Sequence, residues 1–195
     1  MKNTIFETEK YYHIYNRGNN WENIFIENQN YTYFLALMKK YLSPIASMYS
    51  YCLLPNHFHF VLRIKDEDAL PENIKSEKNK LHQPFSNMFN AYAKAINKKY
   101  NRRGSLFQEH LKRIEIKNEN YLRNLVVYVN TNASHHEIDN YSVYPHSSYL
   151  ALVSDKPTLL MRNEVINLFD DLENFIFVHK SKNTNIDLIK DLVFE

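Results

Sequence analysis

The sequence predicts an α+β chain: a split β-α-β antiparallel sheet with an added helix after it and a helical tail. Three observations predict this. Short segments rich in aromatic and β-branched residues alternate with two longer segments of helical period, in the order strand, helix, strand, strand, helix, strand. The two middle strands are separated only by Pro55-Asn56, a pair suited to a tight turn. A third segment of helical period follows the last strand and opens on Asn118-Glu119-Asn120, a helix-start signal.

Residues 10–16, KYYHIYN, form the first strand, which stops at Arg17-Gly18-Asn19-Asn20. Residues 28–42 place Tyr31, Phe34, Leu35, Leu37, Met38 and Leu42 near helical spacing, so an amphipathic helix is expected. Strands follow at 46–53 and 57–65. Residues 66–82 are charged, contain Pro71 and lack a sustained apolar period, which predicts a loop or short insertion. From Pro84 the set Phe85, Met88, Phe89, Ala91, Tyr92, Ala95 and Ile96 returns to helical spacing until about Tyr100, and a strand is expected over 111–117. This order is that of a ferredoxin-like sheet with its helices on one face. The added helix carries Tyr121, Leu122, Leu125, Val126 and Val129 as its apolar set, with Tyr128 and Asn132 one turn apart on one face. Residues 1–135 are read as one domain made of this core plus the added helix, and 136–195 as an extension of short helices packed on it.

Composition narrows the function classes. At 195 residues the chain suits one domain with appendages. It holds no apolar run of bilayer length and no signal-type N-terminus, which predicts a cytoplasmic protein with no membrane partner. The single cysteine, Cys52, excludes an internal disulfide and a cysteine-cluster zinc site, and its apolar neighbours predict a buried, inert thiol. The net charge is only +2, yet residues 94–117 hold Lys94, Lys98, Lys99, Arg102, Arg103, Lys112, Arg113 and Lys117 against Glu109 and Glu115. Cations mixed with Tyr100 and amides suit phosphate contact and base stacking, and they equally suit a solvated helix end.

The strongest chemical signal is Leu54-Pro55-Asn56-His57-Phe58-His59-Phe60-Val61-Leu62. On a strand, His57 and His59 share one face with Cα atoms about 7 Å apart, so their rings can converge on one cation. The alternative is two polar residues on a solvated strand face. Asn132 offers a third, oxygen ligand, and mixed nitrogen and oxygen ligation without sulfur permits Mg2+ or Mn2+. Open positions would take phosphate oxygens and water, and the Tyr128 hydroxyl, a weak nucleophile at its free pKa of about 10, would attack phosphorus beside the cation. By default Tyr128 is a core residue with a satisfied hydroxyl, and Asn132 a helix C-cap.

LLPNHFHFVLR resembles the histidine-hydrophobic-histidine signature of the single-tyrosine (HUH) transposases, and YLRNLVVYVNTN, with Tyr128 and Asn132, resembles their catalytic-helix pattern. The resemblance is closest to the REP-associated tyrosine transposase branch. YYHIYNRGNN with IFIENQNYTYFL, RRGSLFQEHLKR, YPHSSY and NEVINLFDDLENFIFVHK are similar to segments of that branch in the same order, over roughly residues 10–180. The resemblance implies a metal-dependent nuclease and strand transferase acting on single-stranded DNA near a hairpin. It implies His57, His59 and Asn132 as metal ligands, Tyr128 as nucleophile, and a monomer or a homodimer. Arg17, Lys99, Arg102, Arg103, Lys112 and Arg113 are expected to bind DNA. The chain departs from that branch after the added helix, where Ala133-Ser134-His135-His136 follows Asn132, so that His135 or His136 competes as ligand. Gln108 and Glu109 are candidates for the outer shell of the metal.

Two other readings remain on sequence grounds. A ferredoxin-like sheet can bind single strands without catalysis by stacking bases on aromatics such as Tyr12, Tyr49, Tyr51, Phe58 and Phe60. A rolling-circle replication nuclease would share the metal chemistry. The joint presence of His57, His59, Tyr128 and Asn132 favours the transposase reading.

Overall fold

The computed structural model describes residues 5–75 and 80–181; residues 1–4, 76–79 and 182–195, which include the end of the expected extension, lie outside the described residues. The elements are β1 (Tyr11–Arg17), α1 (Asn28–Leu42), β2 (Ala46–Leu54), β3 (His57–Ile64), α2 (Glu72–Lys75), α3 (Gln83–Lys99), β4 (Lys112–Ile116), α4 (Glu119–His135), α5 (Tyr149–Val153), α6 (Arg162–Asn167) and α7 (Leu172–Ser181). The four strands form one sheet in the order β2-β3-β1-β4, with every adjacent pair antiparallel. The fold is therefore the expected α+β arrangement.

Strand alternation divides the sheet into two faces. Phe58, Phe60 and Leu62 point to one side, where Phe58 packs on Phe34 of α1 at 5.4 Å and on Phe89 of α3 at 5.3 Å between ring centroids. Both helices of the split motif thus cover one face, held by an aromatic cluster in which Phe34 and Phe58 are fully buried and Phe89 partly buried. His57, His59 and Val61 point to the opposite face, which α4 covers by packing across β2 and β3. Cys52 is buried beside His59 in the β2–β3 register, and burial pushes its thiol pKa up, consistent with an inert group.

Local chemistry explains where elements begin. The Asn118 side chain accepts a hydrogen bond from the Tyr121 amide at 2.8 Å and starts α4. At the other end α4 runs to His135, so Asn132 is an interior helical residue and not the cap. The expected loop over 66–82 contains a 3-10 turn, Glu67–Ala69, and the short α2; burial of Leu70, Ile74 and Leu81 anchors it. Gly18, which ends β1, is required by close approach: a Cβ there would stand 2.0 Å from the Glu22 carbonyl oxygen.

The segment after α4 is tied to it by buried polar bonds. The Ser148 hydroxyl donates to Asn130 Oδ1 at 2.5 Å, and the Asn130 amide stands 3.1 Å from His179 Nε2, joining the start of α5 and the end of α7 to α4. Among the described residues no helix is long and apolar enough to cross a membrane.

Candidate active site

The site is built from β1, β3 and α4, on the sheet face opposite the aromatic core. His57 and His59 are side by side on β3, with ring centroids 5.3 Å apart and planes at 86°. From α4, the Tyr128 ring stands 5.8 Å from His59 at 86°, and the His136 ring that follows the helix stands 4.7 Å from His57 at 70°. His135, at the end of α4, stacks on Tyr128 at 5.7 Å, and its Nε2 lies 3.0 Å from the Thr131 hydroxyl. Residues about 70 apart in sequence therefore meet in one cluster, with exposed His135 and half-buried His57 and His136 along its open side.

Asn132 has no exposed surface, and neither of its amide atoms completes a hydrogen bond. Such a buried orphan ordinarily costs about 1–3 kcal/mol, so it is retained against stability. Its amide lies near enough to His57 to favour the charged ring, but burial outweighs that and, with His136 and Arg17 nearby, lowers the His57 pKa to about 4. His59 is held well below the ordinary imidazole value by burial first and by His13, His57 and His136 after it. Both rings are neutral near pH 7, the state in which imidazole binds a metal.

A hydrogen bond fixes which nitrogen of His57 faces the site. His57 Nδ1 lies 2.7 Å from the Asn56 side-chain oxygen, which can only accept, so Nδ1 carries the hydrogen and Nε2 keeps its lone pair. His59 Nδ1 lies 2.9 Å from His13 Nε2. Two imidazole nitrogens and an amide oxygen without sulfur make a donor set that permits Mg2+ or Mn2+ without selecting them. Among the described residues no group of three or more His, Cys, Asp or Glu side chains is arranged to hold a cation. An amide and water would have to complete the coordination.

The basic residues are dispersed over several environments. Lys99 is ion-paired with Glu27 and Arg102 with Glu22, and Arg102 also donates a hydrogen bond to the Asn97 side-chain oxygen at 2.8 Å. Tyr100, a candidate for base stacking, donates its hydroxyl to Asn30 Oδ1 at 3.1 Å. Lys112 and Arg113, both expected to bind DNA, lie on opposite faces of β4: Lys112 pairs with Tyr15 on the histidine face, and Arg113 pairs with Ile14 on the α3 face. Arg113 borders a cavity of about 550 Å³ with Asn16, Phe89, Phe107 and Gln108, its guanidinium 4.6 Å from the Phe6 ring centroid and its Nε buried without a partner. Arg103 is exposed, as is Glu109, which stands 3.6 Å from His110. Arg17 lies opposite His57 in the β1–β3 register, with its guanidinium 4.0 Å above the Trp21 ring.

Two residues at the site escaped sequence reasoning. His13 is fully buried against His59, and Trp21, the chain's single tryptophan, is 64% exposed in a left-handed backbone conformation. Strand period alone puts His13 on the face of Tyr11 and Tyr15, but nothing in the sequence pairs it with a strand 46 residues away. Trp21 follows a glycine and two asparagines, a turn signal in which its stacking on Arg17 is invisible.

No family model matches the sequence, and no curated protein matches it. Among solved structures the chain is similar to that of a REP-associated tyrosine transposase bound to a REP hairpin. The identity is 16% and the TM-score 0.61, over 80% of this chain and 87% of that one. The likeness shows a shared fold.

Proposed function

We propose that the chain is a transposase-like, metal-dependent nuclease and strand transferase that cleaves and rejoins single-stranded DNA beside a hairpin through a covalent phosphotyrosine. The observation that carries the reading is the convergence of His57, His59, Tyr128 and the unpartnered Asn132 amide on one sheet face. A stacking platform without chemistry would have no use for a buried orphan amide beside two neutral imidazoles. The solved structure with a shared fold, itself bound to a REP hairpin, supports the substrate class.

In this reading His57, His59 and Asn132 would hold the cation. When bound, Mg2+ or Mn2+ polarises the scissile phosphate and offsets charge developing on its oxygens. Tyr128 Oη attacks phosphorus and the bond from phosphorus to the leaving oxygen breaks. The phenol proton passes to solvent and the leaving oxygen takes one up as a hydroxyl. One strand stays joined to Tyr128, and the phosphotyrosine retains the bond energy needed for rejoining. Arg17 and Lys112, on the histidine face of the sheet, bind strand phosphates. Tyr128 and His59 of one chain are neighbours, so a monomer carries the whole set. The segment after residue 135 belongs to the same domain and braces α4 through Asn130.

The test is incubation of a labelled single-stranded hairpin with Mn2+ and the purified protein. Wild type is expected to form a covalent adduct at Tyr128, located by mass spectrometry. Tyr128→Phe should bind DNA and form no adduct, while His57→Ala and His59→Ala should lose cleavage with the fold intact. Adduct on another tyrosine, or undiminished cleavage by either histidine variant, would overturn the assignment.

A further inference from the structure

We infer that His13 is the positioning residue of the cation site: it accepts the Nδ1 hydrogen of His59 and thereby keeps His59 Nε2 free to bind metal. The inference rests on the cation site of the proposed function. His13 Nε2 and His59 Nδ1 are 2.9 Å apart, and the two rings are nearly parallel, with planes 13° apart and centroids 5.1 Å apart. A bond of this kind between two neutral imidazoles has two forms. If His59 donates, its Nε2 has a lone pair for a cation. If His13 donates, the His59 hydrogen sits on Nε2 and blocks ligation.

The two rings therefore switch together, and His13 decides whether His59 can serve. A cation on His59 Nε2 selects the form in which His13 accepts. His13 is completely buried, and Tyr15 stacks on it at 4.8 Å, which holds the ring beside His59. Metal-bound histidines generally direct their second ring nitrogen to a carboxylate, a carbonyl or water that fixes the tautomer, and loss of that partner costs about 10–100-fold in metal affinity. At His57 the partner is the Asn56 amide oxygen; at His59 it is another imidazole. A neutral acceptor withholds the extra basicity a carboxylate would lend, which suits a site whose cation must stay electrophilic toward phosphate.

The orphan on His13 also has a cost. Either tautomer leaves Nδ1 buried and unsatisfied; a phenylalanine removes that orphan but leaves His59 Nδ1 without its partner, so only a modest loss of stability is expected. The His13→Gln variant, which restores an acceptor, separates positioning from packing. The experiment measures Mn2+ affinity by calorimetry in wild type, His13→Phe and His13→Gln, with thermal melts as the fold check. It also records long-range 1H–15N spectra of the histidine rings in Mg2+-saturated wild type.

His13→Phe should keep a cooperative melt and bind Mn2+ about 10–100-fold more weakly. His13→Gln, which restores an acceptor oxygen, should bind Mn2+ more tightly than His13→Phe. In the Mg2+-saturated protein both His13 and His59 should carry hydrogen on Nδ1. Equal Mn2+ affinity in wild type and His13→Phe, or hydrogen on His13 Nε2 with Mg2+ bound, overturns the inference and leaves the proposed cation site standing. Wild type that binds no Mn2+ overturns both.

Discussion

Asn132 carries two buried polar atoms that nothing in the described fold satisfies, and removing such an orphan recovers about 1–3 kcal/mol. Leucine has nearly the same shape. Asn132→Leu is therefore expected to leave the protein as stable as wild type or raise its stability by about 1–2 kcal/mol in urea unfolding, while Mn2+ binding weakens sharply. A variant clearly less stable than wild type would mean that the amide is structural. The sequence located Asn132 through its spacing from Tyr128 but suggested a helix cap; that α4 continues one turn further and seals the amide depends on packing against β2 and β3. His13 shows the opposite limit. A lone histidine in an aromatic strand reads as core, and its role depends on a partner on a different strand.

At the scale of elements, alternation and helical period made the sheet and its helices legible, because each strand has one face to bury and each helix one stripe. The same period carried a consequence for charge: Lys112 and Arg113 are adjacent in sequence and so cannot share a face of β4. The carboxylates that engage Lys99 and Arg102 lie 72 and 80 residues away and left no local trace. These placements predict unequal roles in DNA binding. Each cation that neutralises a phosphate adds about one to the slope of log affinity against log salt. Lys112→Gln should lower that slope by about one for a single-stranded hairpin. Lys99→Gln and Arg102→Gln should lower it less, since Glu27 and Glu22 compete with phosphate for those side chains. Equal losses for all three, measured by anisotropy over a salt series, would return the basic segment to a single undivided patch.

Among the described residues, His13, His57 and His59 at the candidate site and His179 where α7 meets α4 occupy the most poorly solvated histidine positions. Burial pulls the folded pKa of His13 to about 3, of His57 and His179 to about 4, and that of His59 well below 6.5. In the unfolded chain each titrates near 6.5. Between about pH 6.5 and pH 4 the unfolded state therefore binds more protons than the folded one, so stability rises with pH in that window and is lost as pH falls through it. Each such histidine contributes up to about 1.4 kcal/mol per pH unit. Unfolding free energies from urea titrations should accordingly fall by several kcal/mol between pH 7 and pH 5. Because His179 is fully buried and hydrogen-bonded to Asn130 Nδ2 and the Phe175 carbonyl, it accounts for part of this loss away from the candidate cation site. Saturating Mn2+ should then restore stability near pH 6, where it competes with protons for His57 and His59, but leave the His179 share of the acid loss in place. A stability curve flat from pH 7 to pH 5 would mean that the buried imidazoles take up protons in the folded state as readily as in the unfolded one.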